Sequence, residues 1–372
     1  MNREPLIRVT KRDGMPLYKN ILIRACSIVM AMLLVVFFVH LTAKISAGET
    51  LSYMWEGVFG NSIYMRDTVF YAAKLLCIAV ALAPAFKMRF WNCGAEGQVL
   101  AGGLATAIVM VYCGNVPAPL LYLIMVISAI ALAAVWAILP AIFKAKMGVN
   151  ETLFTLMMNY VAIQLVDFFY NKWKGAASSL GKLNKGTRAG YLPTLFGSDN
   201  SWLVIAVVIF TIGIYFYLSK TKHGYEISVV GESERTAEYA GISVKTVIIR
   251  TMALSGIICG ICGMMTVAGH DHSISSSNTA GGYGFTAIIV AWLAKFNTGL
   301  MVVISVFVIF LERGTSHVAD KCSGFDASAS KIDFPSRISC IPCIKRRFTV
   351  SCNVSPSRSA ISLEIQPPAI AG

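Results

Sequence analysis

The chain has 372 residues, is 56% hydrophobic and only 14% charged, and has a mean hydropathy of +0.65, whereas roughly 25% charge is usual for a soluble domain. That balance excludes an ordinary soluble protein and marks an integral membrane protein. The net charge of +13 does not imply a nucleic-acid partner, because the Lys and Arg stand beside apolar runs and no basic patch with interleaved aromatics appears.

The predicted fold is all-α, a polytopic transmembrane helix bundle with roughly eight to nine spans or re-entrant segments. Residues 1–20 form a polar arm in which Arg3, Arg8, Lys11, Arg12 and Lys19 outnumber Glu4 and Asp13, which places the N-terminus in the cytoplasm. Ile21 to Ala43 is long enough to span. No small-residue cleavage site follows it, so it reads as a retained anchor. Arg24 snorkels to the inner headgroups, and His40 sits near the outer interface. Lys44 to Arg66, with Tyr53, Trp55 and Tyr64, suits a half-buried outer connection.

Asp67 to Phe86 returns inward and ends at Pro84, Lys87 and Arg89. A polar knot then interrupts the apolar sequence in FWNCGAEGQVLAGGLATA, Phe90 to Ala107. It brings Asn92, Glu96 and Gln98 to the edge of a span or into it, where such groups default to function. The competing reading is an interfacial loop with Glu96 facing water. Gly94, Gly97, Gly102 and Gly103 let another backbone approach. Val99 to Tyr112 runs outward, Leu120 to Phe143 inward to Lys144 and Lys146, and Thr152 to Tyr170 outward again. Asn159 in this last span either ties helices together or contacts a solute.

Asn171 to Ser201 is external by alternation, although Lys172, Lys174, Lys182, Lys185 and Arg188 would favour the inside. Gly175 to Lys182 fails as a phosphate loop, having one residue too many between its glycines and Leu183 in place of the metal-binding hydroxyl. Trp202 to Leu218 leads inward to the charged stretch Lys220 to Lys245. There Gly231, Glu232, Glu234, Arg235, Ala237, Glu238, Ala240 and Gly241 outline a short amphipathic helix punctuated by its glycines. Such a helix either receives force from a soluble partner or is a plain connector.

Val247 to Ala268 carries Ser255, Gly256, Gly260 and Gly263 on one face for close packing, with Cys259 and Cys262 as small packing residues beside it. His270, Asp271 and His272 are too sparse a group to make a metal site, and no metal or other cofactor is expected. Gly281, Gly282 and Gly284 precede Phe285 to Lys295 and Leu300 to Leu311, both short for spans and therefore read as broken or re-entrant. Residues 21–313 form the membrane domain. Residues 314–372 form a polar cytoplasmic tail of low order, in which Cys340 and Cys343 lack a second pair. The abruptness of the change also fits a shift of reading frame.

WNCGAEGQ, residues 91–98, resembles the FNIGAEGQ signature of the inner-membrane permease subunits of bacterial ABC importers for simple sugars and nucleosides, with Trp91 and Cys93 as departures. Leu156 to Ala162, Gly224 to Ile242, Ser255 to Gly263 and Gly282 to Ala291 extend the resemblance over about residues 20–313, and the tail departs from it. The resemblance implies a chain that itself hydrolyses no ATP. Its partners would be a cytoplasmic ABC ATPase subunit, a second related permease subunit and an extracytoplasmic substrate-binding lipoprotein. Asn92, Glu96, Gln98 and Asn159 would line or shape the path. Gly231, Glu232, Arg235, Ala237 and Gly241 would couple it to the ATPase. Two other classes compete: an ion-coupled secondary transporter, for which Glu96 alone is poor provision, and a membrane-embedded enzyme, for which only His270 to His272 cluster.

Overall fold

A computed structural model describes residues 7–10, 17–43, 45–195, 200–321 and 349–352. Most of the expected arm, the side chain of Arg24 and the tail with Cys340 and Cys343 lie outside the described residues. Two four-residue strands, β1 (Ile7–Thr10) and β2 (Thr349–Cys352), pair antiparallel with Ile7 opposite Cys352. Every other element among the described residues is helical.

The chain begins its helical course with α1 (Leu17–Ala43) and α2 (Ala47–Phe59). Ser46 starts α2 with a reciprocal cap: its hydroxyl accepts from the Glu49 N–H at 3.3 Å and the Glu49 carboxylate accepts from the Ser46 N–H at 3.1 Å. The bundle continues through α3 (Ser62–Lys87), α4 (Ala95–Tyr112), α5 (Ala118–Met147), α6 (Glu151–Lys174) and α7 (Ser201–Lys220). Two short helices follow, α8 (Lys222–Glu232) and α9 (Glu234–Tyr239), and then α10 (Val244–Met265), α11 (Tyr283–Leu293) and α12 (Thr298–Lys321).

Among the described residues, seven helices are long and apolar enough to cross a bilayer: α3 to α7, α10 and α12. That is fewer than the eight to nine expected. α11 has 11 residues, about 16 Å of helix against the ~30 Å of a hydrocarbon core, and α1 is 27 residues long, with Val29–Leu41 as the apolar stretch among its described side chains. α12 is the opposite case. It passes through the expected boundary at Gly314 to Lys321, with Gly314, Thr315 and Val318 buried. The reason is packing, since a Cβ on Gly314 would lie 3.0 Å from the Met54 Cβ; the glycine admits α2 instead of ending the helix.

Burial sorts the bundle into a centre and a rim. The apolar windows of α3 and α4 are both 83% buried, whereas those of α5, α6 and α7 are 28%, 22% and 28% buried. Small residues build the centre. Gly256 and Gly260 of α10 lie against Ala133, Ala137 and Ala129 of α5, and Gly263 meets the Val99 carbonyl of α4, an approach that van der Waals packing in lipid favours.

α3 also acts as a ruler. Asp67 at one end is 3.9 Å from Arg313, and Lys321 is 3.8 Å from Glu56 on that same side. Lys87 at the other end, about 30 Å away, carries the backbone against which Gly231 packs. The helix leading into the tail therefore ends on the side opposite α8 and α9. A tail that starts on the cytoplasmic side and a cytoplasmic α8–α9 cannot both hold.

Candidate functional site

The Val244 helix does not pass straight on to the next one. After Met265 come two π-helical turns, Thr266–Asp271 and Ser276–Ala280, then Gly281 and Gly282 in the left-handed region at φ 67° and 78°, and only then α11. α11 runs from this break toward the Lys87 end of α3, where Trp292 stacks on Trp91 at 4.9 Å and Phe296 on Phe86 at 6.1 Å. The start of α11 therefore lies about half a bilayer above that face.

Glu96, in the first turn of α4, holds that start. One carboxylate oxygen accepts from the Gly282 N–H and the other from the Gly284 N–H, each at 2.7 Å. The carboxylate thus caps a helix N-terminus from another helix, satisfying orphan donors and matching the positive end of the helix dipole. Only glycine fits at 284, where a Cβ would come within 2.5 Å of the Glu96 nitrogen. From the other side Lys74 of α3, fully buried, donates to the Asn278 carbonyl at 2.9 Å and lies 5.0 Å from the Tyr283 ring centre.

The other knot residues are also buried in contacts of the chain with itself. Asn92 donates to the Ser255 hydroxyl at 3.1 Å, and its oxygen accepts from the Gly94 N–H at 3.0 Å and from the Gln98 amide at 3.3 Å. Ser255 in turn donates to the Gln98 oxygen at 3.3 Å. Asn159 of α6 spans the first turn of α4, donating to the Cys93 carbonyl at 2.7 Å and accepting from the Gly97 N–H at 2.8 Å. Asn92, Glu96, Gln98 and Asn159 are each 5% exposed or less. The structure brings Asn92 and Gln98 together through Ser255, and sets Glu96 and Asn159 on different sides of α4.

Across the bundle, the stretch expected as one amphipathic helix is two. Ser233 is extended at φ −159° and separates α8 from α9, and its hydroxyl accepts from the Thr236 N–H at 3.3 Å, a cap that starts a new helix. A side chain on Gly231 would strike the Lys87 carbonyl. Glu232 and Arg235 are exposed and Ala237 is buried. Gly241, at φ 76°, closes α9: its N–H bonds the Glu238 carbonyl and the Ile242 N–H bonds that of Ala237, the paired closure that favours glycine. Arg250 of α10 reaches Glu226 of α8 at 2.8 Å and holds its carboxyl below the usual range. Tyr239, 93% exposed, ends α9.

The sequence reading missed Lys74, although a lone Lys in the run FYAAKLLCIAV is the signal that could have found it. It also missed the cluster at the Asp67 end of α3, because Tyr71, Tyr283, Glu312 and Arg313 come from three separate helices. His270 and His272 diverge: His270 stacks on Phe70 at 3.8 Å and His272 on Tyr191 at 3.9 Å.

Residues 64–321 match the family described as the permease component of a branched-chain amino acid transport system. A guanosine ABC transporter permease of Bacillus subtilis is 29% identical over 276 residues, covering 72% of this chain and 77% of its own. A glucose ABC transporter permease of Haloferax volcanii is 29% identical over 267 residues, 68% and 70% of the two chains. A nucleoside ABC transporter permease of Lactococcus lactis is 26% identical over 252 residues, 64% and 69%. With its seven apolar helices and its match over most of their length, the chain belongs to this permease family and is a multi-pass transmembrane permease of an ABC importer.

Proposed function

We propose that this permease carries a nucleoside inward across the cytoplasmic membrane. A separate cytoplasmic ATPase drives it, a second related permease completes the path, and an extracytoplasmic lipoprotein delivers the solute. Two of the relatives described above are named for guanosine or nucleosides, which favours a nucleoside over the glucose of the third.

The observation that carries the reading is the α8–α9 turn. It presents an almost bare Tyr239, the kind of aromatic anchor that dominates interfaces, and it rests through Gly231 on the end of α3. A push on α9 reaches α3, and α3 holds the break through Lys74. Asn92, Gln98 and Asn159 shape the path by fixing the first turn of α4, so that Glu96 stays under α11. The domain division follows the same logic, with the membrane part extended to Lys321.

The test is uptake of labelled guanosine into proteoliposomes holding the complete complex. ATP-dependent uptake, competed by unlabelled nucleosides and not by glucose, is the expected result. Uptake driven by an ion gradient without ATP would overturn the ATP-driven reading, and competition by glucose alone would overturn the nucleoside.

A further inference from the structure

The break in the bundle presents polar residues and glycine at its surface at membrane depth, although its backbone groups at Asn278, Gly282 and Gly284 are bonded to Lys74 and Glu96. Ser277, Asn278 and Gly282 are exposed, and Phe285 is 46% exposed. Hydrocarbon cannot satisfy non-helical backbone, so such a surface must line water or be covered by protein. The side chains above it have the same character. Asp67, Arg313 and His270 have side chains 39%, 31% and 23% exposed and meet beside the start of α3, where Asp67 lies about 30 Å from the Lys87 end. The rim helices differ, showing Leu123, Ile127, Val208 and Ile209 outward, as a lipid-facing surface does.

We propose that Asp67, Tyr71, His270, Tyr283, Glu312 and Arg313 form the outer receiving subsite of the translocation path, suited to a neutral solute that combines a flat ring with hydroxyls. The inference deepens the nucleoside reading and rests on it. Tyr71 stands 5.8 Å from the buried Tyr283, and the Arg313 guanidinium lies 4.0 Å over the Tyr71 ring, so the half-buried Tyr71 ring and the part-exposed guanidinium are the planar surfaces offered to a base. Glu312 accepts from the Tyr283 hydroxyl at 3.2 Å, and Asp67 lies 3.9 Å from Arg313 and 4.0 Å from His270. Carboxylates here are acceptors for sugar hydroxyls. The pairing of Asp67 with Arg313 leaves no single sign of charge there to favour an ion over an uncharged solute. Lys74 and Tyr283 form the floor, directly above the break that Glu96 holds.

The assembled complex in proteoliposomes tests this with labelled guanosine. Tyr71→Ala lowers uptake about tenfold, the size of one stacking contact, while thermal stability of the complex and co-purification of the second permease stay at the unmodified level. Tyr71→Phe retains uptake within about twofold, because the ring is kept. Glu312→Gln lowers uptake with assembly unchanged. Unaltered uptake in Tyr71→Ala overturns the subsite. So does loss of the second permease from both Tyr71→Ala and Glu312→Gln, which would assign this face to subunit contact. If the unmodified complex takes up glucose and no guanosine, the nucleoside reading fails by itself, and the same variants assayed with labelled glucose decide the subsite.

Discussion

The break at Gly282 and the turn at Ser233 both interrupt helices, yet they are held in opposite ways. The break is gripped from two helices at once, by a carboxylate on its N–H groups and by an ammonium on a carbonyl. The turn carries its own caps and is exposed along Glu234 to Thr236, while α8 packs Ile227, Val230 and Gly231 into the bundle beside the Glu226–Arg250 pair and α9 packs Ala237 alone. A firmly clamped element responds only to a displacement of its clamps, whereas a lightly attached one yields to a partner. The difference fits a device in which α9 is moved and the break is released.

The largest effect should come from the clamp. Glu96→Ala leaves the Gly282 and Gly284 N–H groups without their acceptor, and hydrogen bonds to a charged group contribute about 1.5–3 kcal/mol each. The expected outcome is about 3 kcal/mol less stability in detergent and loss of ATP-driven uptake. Thermal unfolding and transport assays check it. A variant with unaltered stability would show that the clamp is not what fixes α11.

Gly231→Leu tests the other region, and its effect should be smaller and different in kind. The side chain would push α8 away from Lys87 while leaving the break clamped. Substrate-stimulated ATP hydrolysis by the complex should fall about fivefold to tenfold, the range of a modest coupling free energy, with thermal stability changed less than in Glu96→Ala. Arg235, exposed on α9, belongs to the same surface. Unchanged stimulation in Gly231→Leu would remove the coupling role of this contact.

The two regions were also unequally legible in the sequence. The helical class, the polar knot and the charged stretch stand out because apolar runs and their interruptions are local signals. The function of Glu96 was not legible, since its partners Gly282 and Gly284 lie 186 and 188 residues away. Nothing near Glu96 distinguishes a clamp from a solute contact. Ser233 shows the limit at short range: the pattern of Glu232 to Ala240 fits one helix, and only the backbone shows that the serine caps a second. At Gly314 the composition misled. Loss of apolar residues resembled a domain end, but the small residue there makes room for Met54 within a continuing helix.

The smallest effect sharpens how α8 is attached. Arg250 first, with a further contribution from His223, depresses the Glu226 carboxyl below its ordinary value. A folded-state pKa below the unfolded value of about 4.3 means that the tie stabilises fully above that value and is lost as pH falls through the folded pKa. Glu226→Gln should therefore be less stable than the unmodified protein at pH 7 by about 0.5–1 kcal/mol, the scale of a surface ion pair. The difference should shrink as the pH is lowered below about 4. Unfolding curves at neutral and acid pH read this directly. A gap that persists unchanged in acid would mean that Glu226 holds α8 by packing, and the turn would then be fastened more like the break than the comparison allows.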